Sequence, residues 1–204
     1  IESLRWLNID FDESPRKGGK YGPYRQSERA DLYKKYIEKL INDGKAYYAF
    51  DTNEDLINER RKEEEKGSNF FYGQHNRQSL KNSLSLTESE VTNLLENKVP
   101  YVIRLLVSTN TNILCNDLLR GNINFDSTVL EDKILIKSDG APTYHFANVV
   151  DDHLMKISTV VRGEEWLSSL PIHFLIYEAF NWPTPNFLHL PLILNPKGKG
   201  KLSK

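Results

Sequence analysis

Apolar positions along this chain recur with two spacings, and the elements change where the spacing does. After Ser27, residues Leu32, Tyr33, Tyr36, Ile37, Leu40 and Ile41 follow a helical period with Lys, Glu and Asp on the other face, which predicts an amphipathic helix packed by one side. Asp43-Gly44 should stop it, because glycine takes the left-handed cap without steric cost. Ahead of it, Leu4 to Leu7 reads as a helix end, and Ser14 to Tyr24, with three glycines and two prolines, as a loop. Behind it, Ala46 to Phe50 is a short aromatic strand. Asn53 to Lys66 has few apolar positions and closes at Gly67, so it predicts a solvated helix. Thr87-Glu88-Ser89-Glu90 fits a capping box opening a helix that carries Val91, Leu94 and Leu95. Tyr101 to Val107, Asn122 to Phe125 and Lys133 to Ile136 read as strands between Asn, Asp and Gly turns.

From Pro142 the pattern becomes strand, loop, strand and then a helix over Trp166 to Phe180, with Pro171 either kinking it or marking a new start. Phe187 to Leu194 is a further apolar strand, irregular or at an edge because of Pro191. Ser158 to Val161 suits a buried strand that breaks at Gly163 into an acidic turn, and together these suggest a parallel α/β sheet. Ligands gather where such strands end, so Arg162 stands where a planar, permanently charged fork could hold a carboxylate or phosphate. The plainer alternative is a surface arginine paired with Glu164 or Glu165. If the segment after Thr143 turns helical, Tyr144 and Asn148 lie on one side and can converge on one ligand. Taken alone, Tyr144 is a core aromatic with a satisfied hydroxyl. Lys197 to Lys204 places four lysines on a glycine-rich backbone, suited to closing over a polyphosphate.

Composition narrows this little. The 204 residues, 39% hydrophobic and 27% charged, suit a soluble globular chain, and a net charge of −1 argues against wholesale coating of nucleic acid. One cysteine, Cys115, permits no internal disulfide, and there is neither a signal peptide nor an apolar run near 18 residues. A cytoplasmic setting without membrane contact is expected. The chain starts at Ile1 and stops in a Lys/Gly-rich run, which reads as a segment cut from something longer, with part of any active site missing.

The strings P-T-Y-H-F-A-N-V-V-D-D-H from Pro142, V-V-R-G-E-E-W from Val160, H-L-P-L-I-L-N-P from His189 and K-L-S-K from Lys201 change the picture. With G-P-Y-R-Q-S-E-R from Gly22, D-G-K-A-Y from Asp43 and D-L-L-R-G from Asp117, their order closely resembles the catalytic domain of bacterial glutamyl-tRNA synthetases. The K-L-S-K string resembles the start of the class I lysine-serine-lysine loop, and the likeness runs from end to end.

The resemblance implies an α/β fold: a partial Rossmann-type class I catalytic domain interrupted by an inserted α+β module that meets the tRNA acceptor end. Residues 1–45 would close the first half of the Rossmann domain, 46–140 form the insert and 141–204 begin the second half. It implies Tyr144, Asn148 and Arg162 in the glutamate pocket, Glu165, Ile193 and Lys204 by ATP, and Lys201 and Lys204 as catalytic groups on the phosphates. Partners would be L-glutamate, ATP with Mg²⁺ and the glutamate tRNA, with the protein a monomer. Some members carry zinc in the insert. Here the corresponding places are Tyr48, Phe50 and a lone His75, so no structural zinc is expected, and Cys115 reads as a small buried hydrophobe. Two relatives are the alternatives within the class: glutaminyl-tRNA synthetase, which lacks the R-G-E-E-W string, and the glutamyl-queuosine enzyme, which usually lacks K-L-S-K. A non-catalytic tRNA-binding module is the alternative outside it.

Overall fold

The computed structural model describes residues 2–109 and 111–193. Helix α1 (Glu2–Trp6) and a loop lead into α2 (Ala30–Asn42), whose Tyr33, Ile37 and Leu40 are buried as the helical period requires. The helix ends at Asp43, and Gly44 follows with φ 66°. Strand β1 (Ala46–Ala49) comes next, then α3 (Asn53–Glu65), which buries none of its residues and is held at its start by a capping box between Thr52 and Asp55. The expected capping box at Thr87 and Glu90 opens α4 (Glu88–Glu96).

Strands β2 (Val102–Leu105), β3 (Asn112–Asp117), β4 (Gly121–Asp126) and β5 (Ile134–Ile136) follow. The first and last join β1 in an antiparallel sheet of order β1-β2-β5, while β3 and β4 pair as a separate hairpin. Strand β3 was not expected from the sequence. It alternates strictly, with Ile113, Cys115 and Asp117 inward, but a carboxylate at an inward position hides the period-two signal.

Two expectations near the C-terminal end need correction. The stretch after Pro142 is not a strand but α5 (Tyr144–Leu154), entered from an extended Thr143; the Thr143 hydroxyl donates to the Ile134 carbonyl at 2.7 Å and ties the helix start to β5. The strand expected at Ser158 to Val161 is β6 (Thr159–Gly163), shifted onward, and it is not fully buried, since Val161 is exposed. A 3-10 turn over Glu164–Ser169 precedes α6 (Leu170–Ala179), so Pro171 marks a new start, at the first turn where its missing N–H costs nothing. Strand β7 (Asn186–Leu190) stops just before Pro191 and runs parallel to β6, with Arg162 opposite His189. One core links α2, β2, β3, β5, α5, α6 and β7 through residues such as Leu40, Leu105, Cys115, Phe146, Ile176 and Phe187. A smaller cluster lies around Tyr47, Tyr72 and Leu80.

Candidate active site

Helix α5 carries Tyr144, Asn148 and Asp152 at four-residue spacing, which puts all three on one stripe. Phe146, Ala147, Val149 and Val150 are buried, so packing fixes the rotation of the helix and turns the polar stripe towards β6 and α6. Asn148 gives its Nδ2 to Asp152 Oδ2 at 3.0 Å, and this orients the amide so that its Oδ1 is a buried acceptor with no protein partner. Burial and the neighbouring Asp151 carboxylate push the Asp152 carboxyl up to about 6, against the pull of Arg162 and Asn148. Asp151 itself is engaged elsewhere, accepting from Arg29 at 2.7 Å and from the Tyr33 hydroxyl at 2.8 Å.

Arg162 reaches the same place from β6. Its Nε donates to His189 Nε2 at 2.9 Å and its Nη1 meets His173 Nδ1 at 3.2 Å, while Nη2 is buried without a partner. The guanidinium lies over the Phe187 ring, 5.3 Å from its centre. Burial draws its pKa down, and Tyr144, Asp152 and Asp117 act to keep it charged. The Tyr177 hydroxyl, one helical turn beyond His173, is also buried and unpaired, and burial with the nearby Asp152 charge drives its pKa well up. A cationic donor, a carbonyl acceptor and a hydroxyl therefore converge unsatisfied. Each costs roughly 1 to 3 kcal/mol when left so, and a ligand bearing both a carboxylate and an ammonium is the kind that would recover the cost.

The rim is aromatic. Tyr144 is 46% exposed, so it is not the satisfied core residue that it would be if taken alone, and its ring lies 4.6 Å from that of Trp166. The surface pairing of Arg162 with Glu164 does not form: Glu164 is paired with Arg120 and accepts the Leu192 N–H at 3.2 Å. The Glu165 carboxylate folds back over Gly163, and a Cβ at that position would displace it. Ile193, at the edge of the described residues, is 74% exposed.

The sequence matches the family of tRNA synthetases class I (E and Q), catalytic domain, over residues 1–204. The chain belongs to this family. It is 55% identical over its whole length to a glutamate–tRNA ligase of Christiangramia forsetii and 52% identical to one of Flavobacterium johnsoniae, spanning 40% and 41% of those proteins. A crystal structure of a glutamate tRNA ligase from Elizabethkingia meningosepticum, in complex with its amino acid, superposes with a TM-score of 0.96 at 52% identity, covering all of this chain and 40% of that one. The fold is thus that of a class I synthetase catalytic domain, with mixed helices and strands, and the chain spans about 40% of the relatives it matches.

Of the residues singled out by family resemblance, Tyr144, Asn148 and Arg162 come together, and Glu165 lies on the turn that leaves β6. Lys201 and Lys204 lie outside the described residues. Tyr48 and Phe50 stack on one another and His75 packs against Phe71. Cys115 is buried, which pushes its thiol up to about 12, in keeping with a small hydrophobe. Among the described residues no helix is long and apolar enough to cross a membrane. Sequence reasoning gave no role to Asp117, Asp152, His173, Tyr177 or His189. The strings D-L-L-R-G, V-V-D-D-H and H-L-P-L-I-L contain three of them, but nothing local in those strings says what each touches.

Proposed function

We propose that this chain supplies the glutamate pocket and part of the ATP site of a glutamate–tRNA ligase. An α-carboxylate oxygen of glutamate attacks the α-phosphorus of ATP and displaces pyrophosphate, giving glutamyl-adenylate. A hydroxyl of the terminal adenosine of the glutamate tRNA then takes the acyl group and AMP leaves. The observation that carries the reading is the buried, unpaired Arg162 Nη2 beside Tyr144 and the unpaired Asn148 Oδ1. That set suits an amino acid with an acidic side chain: the guanidinium for the side-chain carboxylate and the amide oxygen for the ammonium. A neutral amide in place of the carboxylate could not compensate a desolvated guanidinium equally well.

Around it we assign Glu165 and the backbone near Ile193 to ATP, and Lys201 and Lys204 to charge developing on the leaving pyrophosphate. Phosphoryl-type transfer needs such positioning and neutralisation more than covalent help. Mg²⁺ would enter with ATP, held chiefly by the phosphates. Residues 1–45 and 141–204 would belong to the nucleotide-binding domain and 46–140 to the acceptor-binding insert, in a monomer working in the cytoplasm. The test is ATP–pyrophosphate exchange, with tRNA present, by a full-length synthetase containing this sequence. Exchange that depends on glutamate and is weak with glutamine is the expected result; equal exchange with both overturns the assignment.

A further inference from the structure

We propose that Asp117 and His189 are positioning residues that hold the Arg162 guanidinium in a single orientation towards the amino acid. The proposal rests on the reading of Arg162 as a glutamate contact and asks what aims it. An arginine can only donate hydrogen bonds. The 2.9 Å contact from Arg162 Nε therefore requires a lone pair on His189 Nε2, which places the ring proton on Nδ1. That proton goes to Asp117 Oδ2 at 2.7 Å.

Asp117 is built to hold it there. Its Oδ2 also takes the His189 backbone N–H, and its Oδ1 takes the N–H groups of Leu119 and Arg120, each at 3.0 Å. Burial alone would raise its pKa, but the His189 ring and these backbone donors outweigh it and hold the carboxyl below its ordinary range. Asp117 and His189 are 1% and 0% exposed, so water cannot substitute for either contact.

The other arm follows the same logic. Nη1 donates to His173 Nδ1, which leaves the His173 Nε2 proton for His145 Nδ1 at 3.1 Å. Burial and the adjacent Arg162 charge keep His173 far below its usual pKa, so it stays an acceptor. Two of the three guanidinium nitrogens are thus clamped and the third is left without a protein partner. Asp117 ends β3 in the hairpin, 72 residues before His189, so the aim of the pocket depends on how the hairpin docks on β7.

The experiment uses a full-length synthetase containing this sequence and compares His189→Leu, which removes the acceptor, with His189→Gln, whose Oε1 can take the place of Nε2. His189→Leu should raise the glutamate KM by about tenfold to a hundredfold, as for a lost hydrogen bond to a charged group, with the ATP KM within about twofold. His189→Gln should recover most of the loss, and both should keep the parent's far-ultraviolet spectrum. Glutamine behaving no better than leucine, or glutamate and ATP KM rising together, would overturn the proposal by making His189 merely structural. If His189→Leu does not fold, Asp117→Asn replaces it: a rise in glutamate KM alone supports the proposal, and no selective rise defeats it. Arg162→Lys is measured alongside. An unchanged glutamate KM there would remove the glutamate-contact reading and the proposal with it. A raised one, with His189→Leu at parental values, would remove the positioning role alone.

Discussion

Replacing Asp152 by asparagine should make the protein more stable, and increasingly so as the pH rises from about 4 to about 7. The carboxyl stands at about 6 in the folded chain against an ordinary value of 3.8, because burial and the Asp151 charge outweigh Arg162 and Asn148. Between those two values the unfolded chain has released this proton while the folded chain keeps it. Raising the pH through that window therefore favours unfolding. The gap corresponds to about 3 kcal/mol at about 1.36 kcal/mol per pKa unit, fully expressed above about pH 6. The introduced asparagine would still accept the Asn148 amide through its own Oδ1 and never ionises, so the cost disappears with little change in shape. The assay is urea unfolding of wild type and Asp152→Asn at pH 4.5, 6.0 and 7.5, taken as the difference at each pH so that every other titration cancels. The variant should gain on the wild type across this range, with most of the gain in place by pH 7.5. A pH-independent difference would refute the raised carboxyl. A variant that loses ground as the pH rises would show that attraction to Arg162 wins and that the carboxyl is depressed.

Three further outcomes can be checked separately. In a full-length synthetase containing this sequence, Arg162→Gln should lower kcat/KM for glutamate by roughly thirtyfold to a thousandfold, from about 2 to 4 kcal/mol for a lost charged contact; glutamine activation should fall far less, and equal losses would move Arg162 to the shared α-carboxylate. Lys204→Ala should cut kcat by roughly a hundredfold with a modest change in ATP KM, and an effect on KM alone would refute the transition-state role. Asp132→Ala should destabilise the fold by about 3 to 5 kcal/mol, because it strips the Tyr47 hydroxyl and Val107 N–H of their acceptor and leaves Arg77 without its buried partner; calorimetry or urea titration reads this, and a loss below about 1 kcal/mol would mean that water reaches the cluster.

What the sequence revealed of the fold follows from how local each signal is. Helix α2 was legible because six apolar residues share one face and a glycine ends it, and α4 because Thr87 and Glu90 are only three residues apart. Helix α5 was misread as a strand because Val149, Val150 and the aromatic residues before them suit either period, and what decides for a helix is the Thr143 bond to Ile134 and the seat for Phe146 against α2 and α6. Strand β3 was hidden by its own chemistry. Asp117 is an inward residue of a core strand, and an aspartate is counted as polar and outward unless its donors are known.

The same asymmetry governs the site. Tyr144, Asn148 and Arg162 were picked out by strand-end position, helical spacing and family resemblance, and the fold brings them together. The residues that hold Arg162 were not found, because each acts across a long sequence separation: Asp117 on His189 over 72 positions and His189 on Arg162 over 27. A buried polar group is stable only with a partner, so the identity of each of these residues is set by another that the fold alone brings near. His189 lies in an apolar run and would be taken for a core histidine. It is one, and its burial lets it transmit orientation, since an exposed ring would share its nitrogens with water and leave the guanidinium free to turn. The apolar packing of Phe187 and the polar clamp on Arg162 are therefore one device: the first excludes water so that the second has a single arrangement.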